Sequence, residues 1–308
     1  MKIYTPKDFP LKFNTVVCIG SFDGIHKGHA VLFKETISLA KKLNSTPVVL
    51  SFDPHPRLVL FPDKSFKLLT TLEEKVKLIK LHGLNHLILL PFTPSLAKVS
   101  PEVFVEEYLI DSLKVKGVVV GFNFRFGVNR KGDVKYLEHL GEKYGFTVKA
   151  VDPVVIDDTV VSSTVIRQFL SIGDVERANE FLGHPYLISG KVIKGAGRGR
   201  KLGFPTANLD VPKIKLIPAP GVYAVWVNLR GKKFKGALNI GTKPTFEEKE
   251  LSIEVHLINF KGELYEEFLE LELIKRIRNE QKFPSPEALK EQIKKDCFEI
   301  ENFLEKAA

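Results

Sequence analysis

The sequence predicts two domains of different class: an α/β, Rossmann-like domain over residues 1–184, then a small antiparallel β-barrel domain with a C-terminal helix over residues 185–308. Three observations predict this. Near-continuous apolar runs at 15–20, 46–52, 86–92 and 117–121 alternate with helix signals, as parallel strands covered on both faces do. After Gly183-His184-Pro185 the texture changes to short β-rich runs separated by Gly and Pro. From Ser285-Pro286 a helical stripe returns through Leu289, Ile293, Cys297, Ile300 and Leu304, which is expected to pack on the barrel before it.

In chain order, Val17-Cys-Ile-Gly-Ser-Phe-Asp-Gly-Ile-His-Lys-Gly-His29 reads as a strand, a turn tightened by Gly20 and Gly24 around Phe22 and Asp23, and the opening of a helix. That helix continues through Ala30, Phe33, Ile37 and Ala40. Free backbone amides and the helix dipole make such a turn a place to hold an anion. His26 and His29, three apart, share one face of the opening turn and suit a phosphate whose charge grows during reaction. The pair could also be zinc ligands or surface histidines, but no Cys or His cluster supplies further ligands nearby.

Ser51-Phe-Asp-Pro-His-Pro56 follows the second strand, where open α/β sheets place ligands; its prolines should exclude a helix, and His55 is a loop histidine or a ligand contact. Thr71-Leu-Glu-Glu74 is a capping box opening a helix to about Leu81, and Ser100-Pro101 begins another. Gly121-Phe-Asn-Phe-Arg-Phe-Gly127 is either a bent edge strand or an apolar slot for a planar ring, with Phe124 in it and Asn123 and Arg125 at its mouth. In Val161-Ser-Ser-Thr-Val-Ile-Arg167, Ser162 or Ser163 can cap a helix that carries Thr164 and then Arg167 on its second turn, a phosphate clamp. A helix over 174–182 closes the first domain.

In the second domain, the loop from Gly195 through Gly197, Arg198 and Lys201 to Gly203 is rich in glycine and cations. It is a flexible basic loop or a phosphate wrap; the spacing is not that of a Walker A loop. Pro205 leads into Thr206 and Asn208, hard oxygen donors two apart and so on one strand face, a pair able to hold Mg2+ between ATP phosphates.

Composition bounds the partners. Among 308 residues, 44% hydrophobic and 27% charged describe a soluble globular protein long enough for two cores. The net charge of +9 divides evenly: 22 Lys+Arg against 17 Asp+Glu from residue 185 onward leave +5, and the remainder carries +4. No basic arm is segregated, so no nucleic-acid partner is expected. Two distant cysteines suit a reduced, cytoplasmic home. No apolar run approaches a membrane span, and the N-terminus lacks a signal-peptide core. Abundant Lys and Glu with a single Met hint at a thermophilic source.

The histidine motif resembles the nucleotidyltransferase superfamily, and its fuller form is similar to the adenylyltransferase half of the bacterial bifunctional riboflavin kinase/FMN adenylyltransferases. The 51–56 loop, the 121–127 stretch and Ser-Ser-Thr-x-Ile-Arg resemble that family's nucleotide and flavin segments, and Phe-Pro-Thr-Ala-Asn208 resembles its kinase signature. The resemblance implies that His26, His29, Asn123 and Arg167 serve adenylyl transfer. It also implies that Glu254 is the kinase's catalytic carboxylate and that Arg278 to Phe283 close over the flavin. Asn123, an amide, would position substrate and move no proton. Lys243 and Glu266 depart from the family's Arg and Gly. The implied substrates are riboflavin, FMN and ATP, with Mg2+. The implied chemistry is phosphorylation of riboflavin to FMN, then transfer of AMP to FMN giving FAD. Two alternatives are a riboflavin kinase whose first domain is non-catalytic or regulatory, and an RNA-binding or flavin-sensing regulator. Oligomeric state is left open.

Overall fold

The computed structural model describes the chain except residues 62, 64, 196, 197, 245–248, 307 and 308, and except the side chains of residues 198, 201, 243, 244, 249 and 250. By packing it divides into two units, Met1–Ser162 and Ser163–Ala308.

The first unit is built on a parallel sheet of β1 (Lys2–Tyr4), β2 (Thr15–Ile19), β3 (Thr46–Asp53), β4 (His86–Pro91), β5 (Val115–Gly121) and β6 (Thr147–Val151). Their spatial order is β1-β4-β3-β2-β5-β6. β2 lies in the middle, with Val17 opposite Val48 on β3 and Val118 on β5. Every residue of β2 is buried, which is why it reads as an unbroken apolar run. The chain steps from β2 outward through β3 to β4, then returns to the other side of β2 for β5 and β6, so the order reverses between β2 and β5. Helices α1 (Lys27–Lys42), α2 (Pro56–Leu60), α3 (Leu72–Leu81), α4 (Pro101–Val103) and α5 (Val134–Tyr144) connect the strands. α4 runs directly into a π-helical stretch, Phe104–Ser112. One core joins Val17, Leu50, Ile88, Leu109, Val118 and Leu137. A small hairpin, β7 (Val155–Ile156) and β8 (Thr159–Val160), follows the sheet.

The capping signals hold: Thr71 accepts from Glu74 N–H at 3.3 Å, and Ser100 from Val103 N–H at 3.3 Å. The expectation that prolines exclude a helix after β3 is corrected. Pro56 is the first residue of α2, a position where the missing N–H costs nothing.

The second unit begins with α6 (Ser163–Ile172) and α7 (Val175–Leu182). A closed antiparallel barrel follows, made of β9 (Tyr186–Ile193), β10 (Ala207–Asp210), β11 (Gly221–Leu229), β12 (Lys232–Pro244), β13 (Lys249–Leu257) and β14 (Phe268–Arg278). Its order is β10-β13-β12-β11-β14-β9. The division by packing falls before the change of sequence texture at 184/185, because α6 and α7 are tied to barrel strands. Asn179 donates to Leu273 O at 2.8 Å and accepts from Tyr186 N–H at 2.7 Å; Arg276 donates to Ile172 O at 2.9 Å. The glycine-rich loop contains a short helix, α8 (Arg198–Leu202), where the sequence suggests open loop.

α9 (Pro286–Lys306) is capped by Ser285 and packs against β11 and β12. Its expected stripe is unevenly used: Ile300 and Leu304 are buried against Val222 and Ala224, while Leu289 and Ile293 are half-buried. Asp296 is buried on the same helix, taking Arg278 Nε and Nη2 at 3.0 and 2.8 Å and Gln292 Nε2 at 2.8 Å. Asp296→Ala leaves that guanidinium without its carboxylate. It is expected to destabilise this unit by about 2 kcal/mol, read as a lower urea midpoint in the fluorescence of Trp226, the chain's single tryptophan.

Candidate functional site

The strand order reverses between β2 and β5, and it is at the C-terminal ends of such strands that α/β sheets take ligands. The loop from β2 to α1 is tightly wound. Phe22 and Ile25 both have φ of 46° and Gly24 has 92°, so three of its residues are left-handed. Asp23 is buried and latches the loop. Its Oδ1 accepts from Leu69 N–H at 2.9 Å and Thr70 N–H at 3.1 Å. Gly20 N–H donates to Leu50 O at 3.1 Å.

His26 caps α1, its Nδ1 accepting from His29 N–H at 3.4 Å. A neutral His26 with Nδ1 accepting carries its proton on Nε2. The two rings stack with centroids 3.6 Å apart, and Phe22 meets His29 edge-on at 5.1 Å. Burial, then the nearby His26, Lys75 and His82, push the His29 imidazole well below its ordinary pKa. Its Nδ1 is buried with no hydrogen-bond partner among the described residues, as a polar atom reserved for a ligand would be. The chain returns to this turn at Val161, one residue before Ser162: a Cβ on Gly28 would stand 4.0 Å from Val161 O.

The flanking loops leave the same sheet edge. His55 follows β3 and caps α2 by accepting from Arg57 N–H at 3.1 Å. After β5, a turn closed by Phe124 N–H to Gly121 O at 3.0 Å exposes Asn123. Arg125 pairs with Asp133 at 3.0 Å on the surface. The slot of three alternating aromatics is corrected: Phe126 is buried in the core, Phe124 stacks on it half-buried at 5.5 Å, and Phe122 is exposed. Ser163, Thr164 and Arg167 lie on α6 in the second unit; the helix begins at Ser163 and Arg167 is on its second turn.

Lys75 escapes the sequence motifs. It is buried on α3, donating to Ser21 O at 2.8 Å and Ser51 Oγ at 3.3 Å. The signal was there: it occupies an apolar position of α3, three and four residues before the buried Leu78 and Ile79.

In the barrel, Thr206, Asn208 and Glu254 converge. Asn208 on β10 lies directly opposite Glu254 on β13. Glu254 Oε2 accepts from Thr206 Oγ1 at 3.2 Å, and its Oε1 from Ser252 Oγ at 2.8 Å. The Thr206 proton thus points at Glu254, leaving the hydroxyl's lone pairs for another electrophile. Gly195 and Gly199 are required: a Cβ on the first would be 2.1 Å from Asn208 Nδ2, on the second 2.3 Å from Phe204 O. Gly203 ends α8 with φ 89°. Gly197 and the side chains of Arg198 and Lys201 lie outside the described residues. A cleft beside Thr206 is lined by Arg200, Pro205, Leu257, Phe260 and Tyr265. Arg278 is held by Asp296, donates to Asn279 O at 3.0 Å and stands 5.6 Å from the Phe283 ring centroid, so it contacts both ends of the 279–283 segment.

The FAD synthetase family model matches residues 10–165 and the riboflavin kinase family model residues 182–304. A bifunctional riboflavin kinase/FMN adenylyltransferase of Bacillus subtilis is 42% identical over 92% of this chain and 90% of its own. Its counterpart from Buchnera aphidicola of Schizaphis graminum is 41% identical over 94% of each. A crystal structure from Streptococcus pneumoniae, titled a macrolide-efflux protein, matches with a TM-score of 0.88 and 33% identity over 96% of this chain and 97% of that one. No helix among the described residues is long and apolar enough to cross a membrane.

Proposed function

The chain belongs to the family of bifunctional riboflavin kinase/FMN adenylyltransferases, and from that premise we propose how its residues divide the two reactions. The enzyme phosphorylates riboflavin to FMN and transfers AMP from ATP to FMN. The efflux title belongs to the structural relative alone, and a non-catalytic first half is set aside by the FAD synthetase match.

We assign adenylyl transfer to residues 1–184; the resemblance of Ser-Ser-Thr-x-Ile-Arg to the family's segment is what gives Ser162, Ser163, Thr164 and Arg167 the leaving phosphates. The nucleophile is the FMN phosphate, whose second pKa of about 6 leaves it dianionic at neutral pH. No base is required, and the site's groups suit alignment and charge stabilisation: His26, His29 and Asn123 donate hydrogen bonds, and the Gly20–Gly24 turn contributes amides. His55, Phe124 and Arg125 border the flavin and nucleotide. Asp23 serves by latching the turn to Leu69 and Thr70.

We assign the kinase to residues 185–308. The observation that carries this assignment is the joining of Thr206 and Asn208 to Glu254 under a glycine-requiring loop. The Thr206 hydroxyl, whose proton is spent on Glu254, and the Asn208 amide oxygen are hard oxygen donors, so the pair fits Mg2+ shared with phosphates and water. Bound there, the cation would neutralise charge on the ATP phosphates. Glu254 takes the proton of the ribityl 5′-hydroxyl, a poor nucleophile until deprotonated. Arg278 and Phe283 hold the segment covering the flavin, and the cleft lined by Leu257 and Phe260 takes ATP's base. The partners are small molecules, and the setting is the cytoplasm.

Incubation with riboflavin, ATP and Mg2+, followed by chromatography, tests the reading. FMN should appear first and FAD after it; FMN without FAD, even when FMN and ATP are supplied directly, would leave the chain a kinase alone.

A further inference from the structure

A buried ammonium is costly unless it is hydrogen-bonded, and the two bonds that Lys75 makes are both at one place. Its Nζ donates to Ser21 O at 2.8 Å and to Ser51 Oγ at 3.3 Å, and Ser51 Oγ itself donates to Ser21 O at 3.2 Å. Two donors converge on a single carbonyl in the turn between β2 and α1. Burial pulls the Lys75 pKa below its ordinary value, and the facing carboxylates of Asp23 and Asp53 oppose that by favouring the charged form.

The consequence runs through the peptide plane. The cis bonds among the described residues are Phe9–Pro10 and Asp53–Pro54, so the Ser21–Phe22 peptide is trans. In a trans peptide the carbonyl and the following N–H point in opposite directions. Drawing Ser21 O toward Lys75 therefore turns Phe22 N–H to the opposite side of the turn. Phe22 also holds a φ of 46°, which a residue with a Cβ does not adopt unaided. Its N–H has no hydrogen-bond partner among the described residues, while its ring lies against His29. Lys75 itself is 7% exposed and two of its three N–H groups are spent on Ser21 and Ser51, so direct contact with a ligand is not its role.

We propose that Lys75 is a positioning residue of the adenylyl-transfer site: by holding the Ser21 carbonyl it presents the Phe22 N–H as a donor to a phosphate oxygen of the nucleotide. This rests on the adenylyl-transfer reading of the first half. The sequence motif supplies the histidines, and Lys75, contributed by a different helix, supplies the orientation of the backbone amide beside them.

The test uses the full chain, 15N-labelled, with α,β-methylene-ATP as probe. In the wild type the Phe22 amide resonance should move on adding the probe. In Lys75→Met that response should vanish, and kcat for FMN adenylylation should fall about 10²-fold, the loss typical of one oxyanion-hole donor, with KM for FMN unchanged. Ser51→Ala, which removes one of the two donors, should fall by a smaller factor, about tenfold. Wild-type kcat in Lys75→Met, or a wild-type Phe22 amide indifferent to the probe, overturns the proposal. Should Lys75→Met not fold, the wild-type amide response and the Ser51→Ala rate decide it. Failure of the underlying reading looks different, since wild-type protein would then make no FAD.

Discussion

Glu254→Gln is expected to suppress riboflavin phosphorylation by about 10²–10⁴-fold while FAD formation from supplied FMN continues at the wild-type rate. The substitution is nearly isosteric, and Gln keeps one oxygen to accept from Ser252 or Thr206, which now donate to the carboxylate at 2.8 and 3.2 Å. What it removes is the ability to take a proton. The ribityl hydroxyl then has no acceptor for the proton it must lose as it attacks. The adenylyl step serves as the internal control, because its nucleophile is already an anion and needs no base. Separate assays, riboflavin to FMN and FMN to FAD, give both rates from one preparation. A kinase rate within about threefold of wild type would remove Glu254 from the role of base and leave it as the hydrogen-bond partner that orients Thr206.

The histidine pair has a signal of its own in the sequence, whereas Glu254 is pointed to by the family resemblance alone. β2, the Gly20–Gly24 turn and α1 each have local causes: an apolar run, glycines and a helical stripe, read without knowing what packs nearby. Thr206 and Asn208 announce themselves by spacing, but their meeting with Glu254 depends on a β10–β13 pairing that spans about fifty residues. The position of Lys75 on the apolar face of α3 marks it as buried, but its role is not legible, because its partners, Ser21 and Ser51, are 54 and 24 residues away and a lysine in a helix ordinarily means a solvated face. Arg278 reads as a ligand-closing cation, yet its fork is occupied by Asp296, a carboxylate on the helical face where an apolar residue is expected. β6 escaped notice because it is an edge strand whose Thr147, Lys149 and Ala150 are exposed, so it carries no apolar run. The packing of α6 with the barrel was likewise not written in its own stripe. Arg276 of β14 reaches Ile172 O on α6, and the neighbouring α7 is tied separately, by Asn179 to Leu273 O.

His29→Ala is expected to cut FAD formation by about 10²–10³-fold, as for other donors aimed at developing charge, and to leave riboflavin phosphorylation untouched. The physical state of His29 decides which replacement restores activity. Burial and three nearby basic groups hold its pKa well below the ordinary value, so near pH 7 it is a neutral imidazole that donates a hydrogen bond without carrying charge. A neutral donor in its place, His29→Asn or His29→Gln, should therefore recover more adenylyl transfer than His29→Lys, whose ammonium would be forced beside His26 and Lys75. The same depression fixes a sign in stability. The folded state resists protonating His29 while the unfolded chain takes the proton near pH 6.5. The first unit should therefore lose stability as pH falls below about 6.5, and His29→Ala should flatten that slope. Urea midpoints of the first unit between pH 5 and 8, followed by amide NMR, check this. A slope unchanged by the substitution, or rescue by Lys equal to rescue by Asn, would mean that His29 works as a cation instead.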